Sequence, residues 1–397
     1  MPDLPSDFPE SPAVFLKVFL TEPSMTASKT SIRQSVETPA AETLRRQGYQ
    51  MPAEWEPHDA TWLAWPHNQE DWPGKFAPIA WIIAEIIRHI ASAETVHLLV
   101  ESQYRIAIIR EILNKSGVKL SAVRFHVLKT DRMWTRDSGP IFVKKRSAGA
   151  GRMMALGWLF NAWAKYDNYH RDAHVPAYAA KTLGLAIHNP TAARSDGQIV
   201  RLVLEGGSID VNGAGCLLTT RECLLSKVQC RNPGISRTVL EQHLCDNLGV
   251  EKILYLHSGI VGDDTHGHID DTARFVSPSA IAACVEPNRR DANHRRMEEN
   301  MQCLKTMRDT RGRGFDVIEL PLPAPVYFDK QRLPASYANF YICNAGVLVP
   351  VFNDPADVRA LKILEQCFPD RSIIPIYCRD LVWGLGTLHC MTQQQPR

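Results

Sequence analysis

Four short stretches gather the residue types that make and break covalent bonds. They are MWTRDSGP (residues 133–140), LEGGSID (204–210), DDTHGHIDD (263–271) and GLGTLHCMTQQQP (384–396). Together they hold one thiol, Cys390, the imidazole of His268, and the carboxylates Asp137, Glu205 and Asp270, with Arg136 the one Lys or Arg inside them. An acidic site that contains a thiol suits a cationic substrate. A planar guanidinium matches paired carboxylates, each taking two parallel N–H bonds. Its carbon then lies open above the plane to a sulfur nucleophile.

Taken singly, each stretch has a plainer reading. Asp137 before Ser-Gly-Pro reads as a turn, Glu205 before Gly-Gly as a strand end, His268 as a hydrogen-bonded core histidine, and Cys390 as core filling or a metal ligand. Gly384-x-Gly386 lacks the third glycine and the βαβ setting of a dinucleotide fingerprint. Metal binding is the rival for the third stretch. His266, His268 and Asp270 alternate, so on a strand they share one face, and imidazole with carboxylate suits zinc or iron. A metal-dependent hydrolase is therefore the alternative from a different class, and a non-catalytic guanidinium- or polyamine-binding protein is a further one.

The elements that must position these stretches alternate short β-like runs with single amphipathic helices. Strands are expected over 95–101, 123–128, 139–145, 155–163, 202–205, 215–220, 252–256, 272–276, 315–320, 337–343, 347–351 and 372–377. Helices are expected over 104–115, 173–183, 237–248, 289–310 and 356–367. Two or three strands per helix, repeated about five times without a linker, is too strand-rich for a Rossmann sheet. The pattern suggests a radial or barrel-like α/β arrangement in one domain.

Composition narrows the class. Of 397 residues, 45% are hydrophobic and 22% charged, ordinary for a soluble globular protein. A formal charge of +2 gives no electrostatic case for nucleic acid or an anionic membrane as partner. No apolar run reaches the length of a membrane span. Residues 1–50 read as a poorly patterned N-terminal tail, with the natural start open between Met1, Met25 and Met51. The apolar patch at 13–20 follows acidic residues and not the basic region of an export signal, so a cytoplasmic location is expected. The 10 cysteines include no CxxC pair, which argues for free thiols in a reducing compartment.

With MPAEWEPHDATWLAWPHN (51–68), FNAWAKY (160–166) and SYANFYICN (336–344), the stretches WTRDSGP, EGG, THGHID and LHCMTQQQP form an ordered series over residues 51–396. This series resembles the agmatine deiminase and peptidylarginine-deiminase-like proteins of the guanidino-group-modifying superfamily. The resemblance implies a five-bladed α/β propeller, the pentein fold, with pseudo-five-fold ββαβ modules in a single deiminase domain over 51–397. It implies hydrolysis of a guanidinium to a ureido group with release of ammonia, and neither cofactor nor metal. By motif match Cys390 is the nucleophile and His268 the general acid/base. Asp137 and Asp270 grip the guanidinium nitrogens, Glu205 belongs with the histidine and guanidinium contacts, and Trp134 is an aromatic lining position. His266 receives no role. Gly384 and Gly386 then let the backbone approach the site and aim the turn that presents Cys390, with a helix N-terminus as one means of favouring its thiolate. Gln393, Gln394 and Gln395 read as polar residues that satisfy the backbone.

Two departures bear on the substrate. Agmatine deiminases commonly read NGHxDN and GGNIHC, where this chain has HGHIDD and GLGTLHC. Agmatine, hydrolysed to N-carbamoylputrescine, is the expected substrate, with peptide-bound arginine the alternative and free arginine a third candidate. A small cationic guanidino compound is the expected partner. A homodimer is expected only by analogy with the size of many cytosolic enzymes.

Overall fold

The structure, a computed structural model, describes residues 42–145 and 153–397. Most of the expected tail, residues 1–41, thus lies outside the described residues. From Glu42 a turn leads into the strand Tyr49–Gln50, which pairs antiparallel with Ile141–Lys145.

Five sheets of three or four strands share one local plan: an antiparallel pair, then a parallel neighbour reached through helix. In the first, Gln393–Pro396 pairs antiparallel with His58–Ala64. That strand runs parallel to Thr95–Val100 across the helix Phe76–Ile90, and Thr95–Val100 runs parallel to Val123–Val127 across the helix Gln103–Lys115. The second joins Ile141–Lys145, Met153–Leu156 and, after the helix Val175–Leu183, Ile187–His188. The third joins Asp210–Val211, Cys216–Thr220 and, after the helices Arg221–Leu225 and Arg237–Leu248, Lys252–Leu256. The fourth joins Ala273–Ser277, Ala280–Val285 and, after Ala292–Thr306, Asp316–Pro321. The fifth joins Tyr341–Cys343, Gly346–Val351 and, after Ala356–Cys367, Ile373–Tyr377. The fold is mixed α/β.

Packing explains these elements. Helix Phe76–Ile90 buries Ile79, Ile83, Ile86, Ile87 and Ile90, a stripe at helical spacing. Each such side chain contributes about 1.5–3 kcal/mol on burial, which outweighs the weak helix preference of isoleucine. Ser236 accepts a hydrogen bond from Val239 N at 3.3 Å and so caps Arg237–Leu248, which ends on left-handed Gly249.

The strand expected over 155–163 is instead Met153–Leu156. Beyond it Ala162, Trp163 and Ala164 adopt φ values of 47°, 59° and 52°, a left-handed turn that no strand can include. The expected strand 202–205 reduces to a single bridge, Leu159 with Val203. Met153 begins the second strand of its sheet, while Gln393–Pro396, rich in a residue of poor strand preference, is a strand that reading by propensity passes over.

Candidate active site

Each of the five sheets sends a polar side chain to one place from the loop just ahead of its first antiparallel strand. Cys390 precedes Gln393–Pro396, Asp137 precedes Ile141–Lys145, and Glu205 precedes Asp210–Val211. His268 and Asp270 precede Ala273–Ser277, and Asn339 precedes Tyr341–Cys343. The structure therefore brings together five of the residues singled out in the sequence, from four distant stretches. Trp134, the sixth, lines the same cavity.

His268 lies at the centre of the acids. Its Nδ1 is 3.9 Å from both Asp137 Oδ1 and Asp270 Oδ1, and its Nε2 is 3.7 Å from Glu205 Oε2. Burial works against charge on this ring. The negative charge of Asp137, with Glu205 beside the ring, wins and holds the proton well above the usual imidazole range. Burial raises Asp137 to about 6, with Asp270 and Glu205 adding to the shift and His268 opposing it. Trp163 Nε1 and Gly207 N donate to the two Asp137 oxygens at 2.9 and 3.0 Å. Burial also works against charge on Glu205. Arg231, whose Nε donates to Oε1 at 2.9 Å, outweighs it and holds the carboxyl down at about 2.

Cys390 donates towards Asp270 Oδ2 at 3.7 Å and accepts from Asn339 Nδ2 at 3.1 Å. Burial, then the charges of Asp270, Asp271 and Asp137, push its thiol well above the usual range, so it rests protonated. Cys390 sits in a turn spanning 388–391. The helix N-terminus considered above is thus absent, because the chain passes within three residues into the strand Gln393–Pro396. Gly386 does allow the close approach: a Cβ there would lie 2.9 Å from the Trp134 ring and 3.1 Å from Cys390 Cβ.

Behind these residues lies a buried polar network that motif reading left without roles. His389 bridges Asp270 Oδ2 at 2.8 Å and Glu54 Oε2 at 2.7 Å. Glu54 also receives Arg274 Nη2 at 3.0 Å and Arg136 Nη2 at 3.4 Å. Asn339 donates to Asp271 Oδ1 at 2.9 Å as well as to Cys390, and its Oδ1 accepts from Thr387 and from His389 N. Glu54, Asn339 and His389 all lie inside the quoted motifs, which was the available signal. Asp271 stands at the last position of HGHIDD, where the family motif has Asn. Burial, then the charges of Asp270 and Asp263, push its carboxyl well above the usual range.

The glutamines are structural. Gln393 Nε2 donates to Pro140 O at 2.9 Å, Gln394 Oε1 accepts from Arg136, and Gln395 Oε1 accepts from Trp62 Nε1 at 3.1 Å. His266 does not join the site. It adopts φ 66°, its Nε2 lies 3.2 Å from Ser226 Oγ, and Gly267 follows at φ 95°. The stretch is a tight turn, not a strand, so the alternation that would align His266, His268 and Asp270 is lost.

A cavity of about 430 Å³ ends on Cys390 and Asp137. Trp134, Trp163, Tyr166, Phe328 and Trp383 form its apolar walls. Leu385, at φ 66° where the family motif has glycine, also lines it. Its carboxylates are Glu70, Asp71, Asp137 and Asp264, and Arg132 is the one Lys or Arg of the lining. Arg132 is engaged by Asp71 at 2.9 Å and Asn168 at 3.0 Å and stands over the Tyr166 ring. Asp71 Oδ2 is buried and unpartnered. Burial raises this carboxyl to about 6 despite Arg132.

Comparison with known proteins finds relatives along nearly the whole chain. The profile of the Porphyromonas-type peptidyl-arginine deiminase family matches residues 50–396. An agmatine deiminase of Ectopseudomonas mendocina is 34% identical over 378 residues, 89% of this chain and 97% of its own. The solved agmatine deiminase of Enterococcus faecalis superposes with a TM-score of 0.80 at 30% identity, covering 90% of this chain and 98% of that one. A cysteine-to-serine variant of the C. jejuni agmatine deiminase with substrate bound superposes at 0.76 with 29% identity, covering 88% and 96%.

Proposed function

The chain belongs to the Porphyromonas-type peptidyl-arginine deiminase family, and from that premise we propose that it is an agmatine deiminase, hydrolysing agmatine to N-carbamoylputrescine and ammonia. The observation that carries the substrate is the charge of the cavity: four carboxylates, of which Asp71 pairs with Arg132 and Asp264 with Lys165, and no unengaged cation in the described lining. Such a lining suits a dication with a guanidinium at one end and an ammonium at the other. The carboxylate of free arginine meets no unengaged cation among the described lining residues.

The guanidinium enters between Asp137 and Asp270, with Glu205 completing its contacts. Cys390 Sγ loses its proton to solvent and attacks the guanidinium carbon, forming a C–S bond. His268 enters the step protonated and gives its proton to the departing nitrogen as the C–N bond breaks and ammonia leaves. A cationic thiouronium remains, stabilised by the same carboxylates. The neutral His268 then takes a proton from water and the resulting hydroxide adds to the carbon. The C–S bond breaks as the new hydroxyl proton passes to Sγ, which releases the ureido product and restores the Cys390 thiol and protonated His268. His389, anchored on Glu54, fixes Asp270 through Oδ2 and leaves Oδ1 unpartnered for the substrate.

The five sheets of like plan, each sending a group from the same position, support a radial five-bladed propeller with the site on its axis. The product would feed putrescine synthesis. No helix among the described residues is long and apolar enough to cross a membrane, and a cytoplasmic enzyme acting without a cofactor is the fitting form.

The acid limb of kcat/KM is expected near pH 6. Asp137 and Asp71, both pushed up to about 6, must be ionised to hold the two cationic ends of agmatine. Because both pKa values are raised, binding is intact above pH 6 and lost below it, with a slope approaching two protons. Asp71→Asn should leave a one-proton slope and raise KM for agmatine roughly 10–100-fold, the range for a hydrogen bond to a charged group. An unchanged slope and KM would detach Asp71 from the ammonium.

The direct test is ammonia release from agmatine, free arginine and an N-acyl arginine peptide, in parallel with Cys390→Ala. Activity on agmatine, absent in the variant, is expected. Activity confined to the peptide would keep the chemistry and overturn the substrate.

A further inference from the structure

Cys223 is a buried thiol next to His268 that the reaction above does not use. We propose that Glu205, Cys223 and His268 form a binding site for a thiophilic divalent cation of the zinc class, which inhibits the enzyme by capturing its general acid/base. The inhibition rests on the reading of His268 given above; the binding does not.

The donor set is of the kind zinc takes: thiolate, imidazole and carboxylate. One ligand atom from each of the three residues lies within 4.8 Å of the others. Glu205 Oε1 is held by Arg231, but Oε2 has no hydrogen-bond partner, and neither has either ring nitrogen of His268. Oε2 and Nε2 thus face each other at 3.7 Å without a bond between them. Zinc distances of about 2.0–2.3 Å place ligand atoms roughly 3.3–3.8 Å apart, so a contraction of at most about 1.5 Å completes the site.

The carriers of the ligands are clamped together. Thr220 Oγ1 accepts from Cys223 N at 3.0 Å and donates to Gly267 O, the residue before His268. A Cβ on Gly267 would lie 3.0 Å from that same hydroxyl, so the two segments touch without intervening side chain. Binding releases the protons of the Cys223 thiol and of His268 to solvent, since the metal takes thiolate and neutral imidazole. A second group, Asp270, Asp271 and Cys390, is as close. There Cys390 Sγ, Asp271 Oδ1 and Asp270 Oδ2 are already engaged, with Asn339 on Cys390 and Asp271 and with His389 on Asp270.

A bound cation would occupy the Glu205 oxygen and His268 nitrogen that the substrate needs, so zinc and agmatine exclude one another. The full-length Cys390→Ser variant, titrated with Co2+, is expected to develop a thiolate-to-cobalt charge-transfer band at one metal per chain. The band should vanish when Cys223→Ser or Cys223→Ala is added. In the otherwise native enzyme Zn2+ should inhibit competitively with agmatine, and Cys223→Ser should retain activity while losing zinc sensitivity about 100-fold, at the upper end of effects seen on altering metal surroundings. Zinc sensitivity unchanged by both Cys223 variants, or a cobalt band that depends on Cys390 and not on Cys223, overturns the site. The cobalt titration uses no substrate, so a failure of the agmatine reading leaves it interpretable.

Discussion

Cys390→Ala is expected to abolish ammonia release, lowering kcat by at least about 10⁵-fold, the scale on which removal of a nucleophile acts. The reason is specific to this site. The groups in contact with Cys390 Sγ are Asn339 and Asp270, neither of them a thiol, and the acids remain to hold a guanidinium that no sulfur attacks. The same surroundings make the resting thiol poor, because burial, Asp270, Asp271 and Asp137 all oppose its ionisation. A guanidinium brought to about 4 Å contributes roughly 4 kcal/mol at an effective dielectric near 20. At about 1.4 kcal/mol per pKa unit, this lowers the thiol by about three units. The substrate therefore helps ionise its own nucleophile. Alkylation of Cys390 at pH 7 should be slow with neutral iodoacetamide and much faster with a haloacetamidine, whose amidinium carries the needed charge. Equal rates after correction for intrinsic reactivity would sink this account, as would full thiolate reactivity towards iodoacetamide at pH 6–7.

The chemistry was legible because its donors sit in short stretches of distinctive type, and the repeated strand–helix order was legible because most strand pairs close over neighbouring sequence. What stayed hidden is long-range. Glu54 and His389 are 335 residues apart and Asp270 and His389 are 119 apart, yet one imidazole joins all three. No spacing rule connects them. The first sheet likewise unites the two ends of the described domain, with Trp62 opposite Gln393 and Ala60 opposite Gln395. Its C-terminal strand is mostly glutamine, chosen by what each amide reaches and not by strand preference. The turn that removes His266 from the site was hidden for another reason. A histidine at φ 66° looks like any other in the sequence, and only the hydrogen bonds from Gly267 N and His268 N to Asp263 Oδ2, at 2.7 and 2.8 Å, impose the conformation. Cys223 gave no cue at all, since its neighbour His268 is 45 residues on and the thiol resembles any buried cysteine.

Gly207→Ala should lower kcat/KM by at least about 10³-fold without any change to an ionisable group. A Cβ at this position would lie 2.6 Å from His268 Nδ1, 2.9 Å from Asp137 Oδ1 and 2.9 Å from Asp270 Oδ2. Those three atoms belong to the proposed acid/base and to both residues proposed to grip the guanidinium, so no single side chain can move aside alone. Gly207 N also donates to Asp137 Oδ1 at 3.0 Å, and a shift of the backbone to relieve the methyl would draw that carboxylate with it. A displacement near 1 Å at one reacting group already costs on the order of 10²-fold, and here three are displaced together. Overpacking of this kind costs about 1–3 kcal/mol of stability, which a domain of this size survives. Its thermal unfolding should therefore stay cooperative while turnover collapses. Activity within tenfold of the parent would mean the acids and the imidazole tolerate looser placement than the geometry implies. A Gly206→Ala variant separates the two effects: its Cβ would meet Arg136 O at 2.4 Å, outside the acid cluster. It should lose stability first, and activity only as the fold gives way.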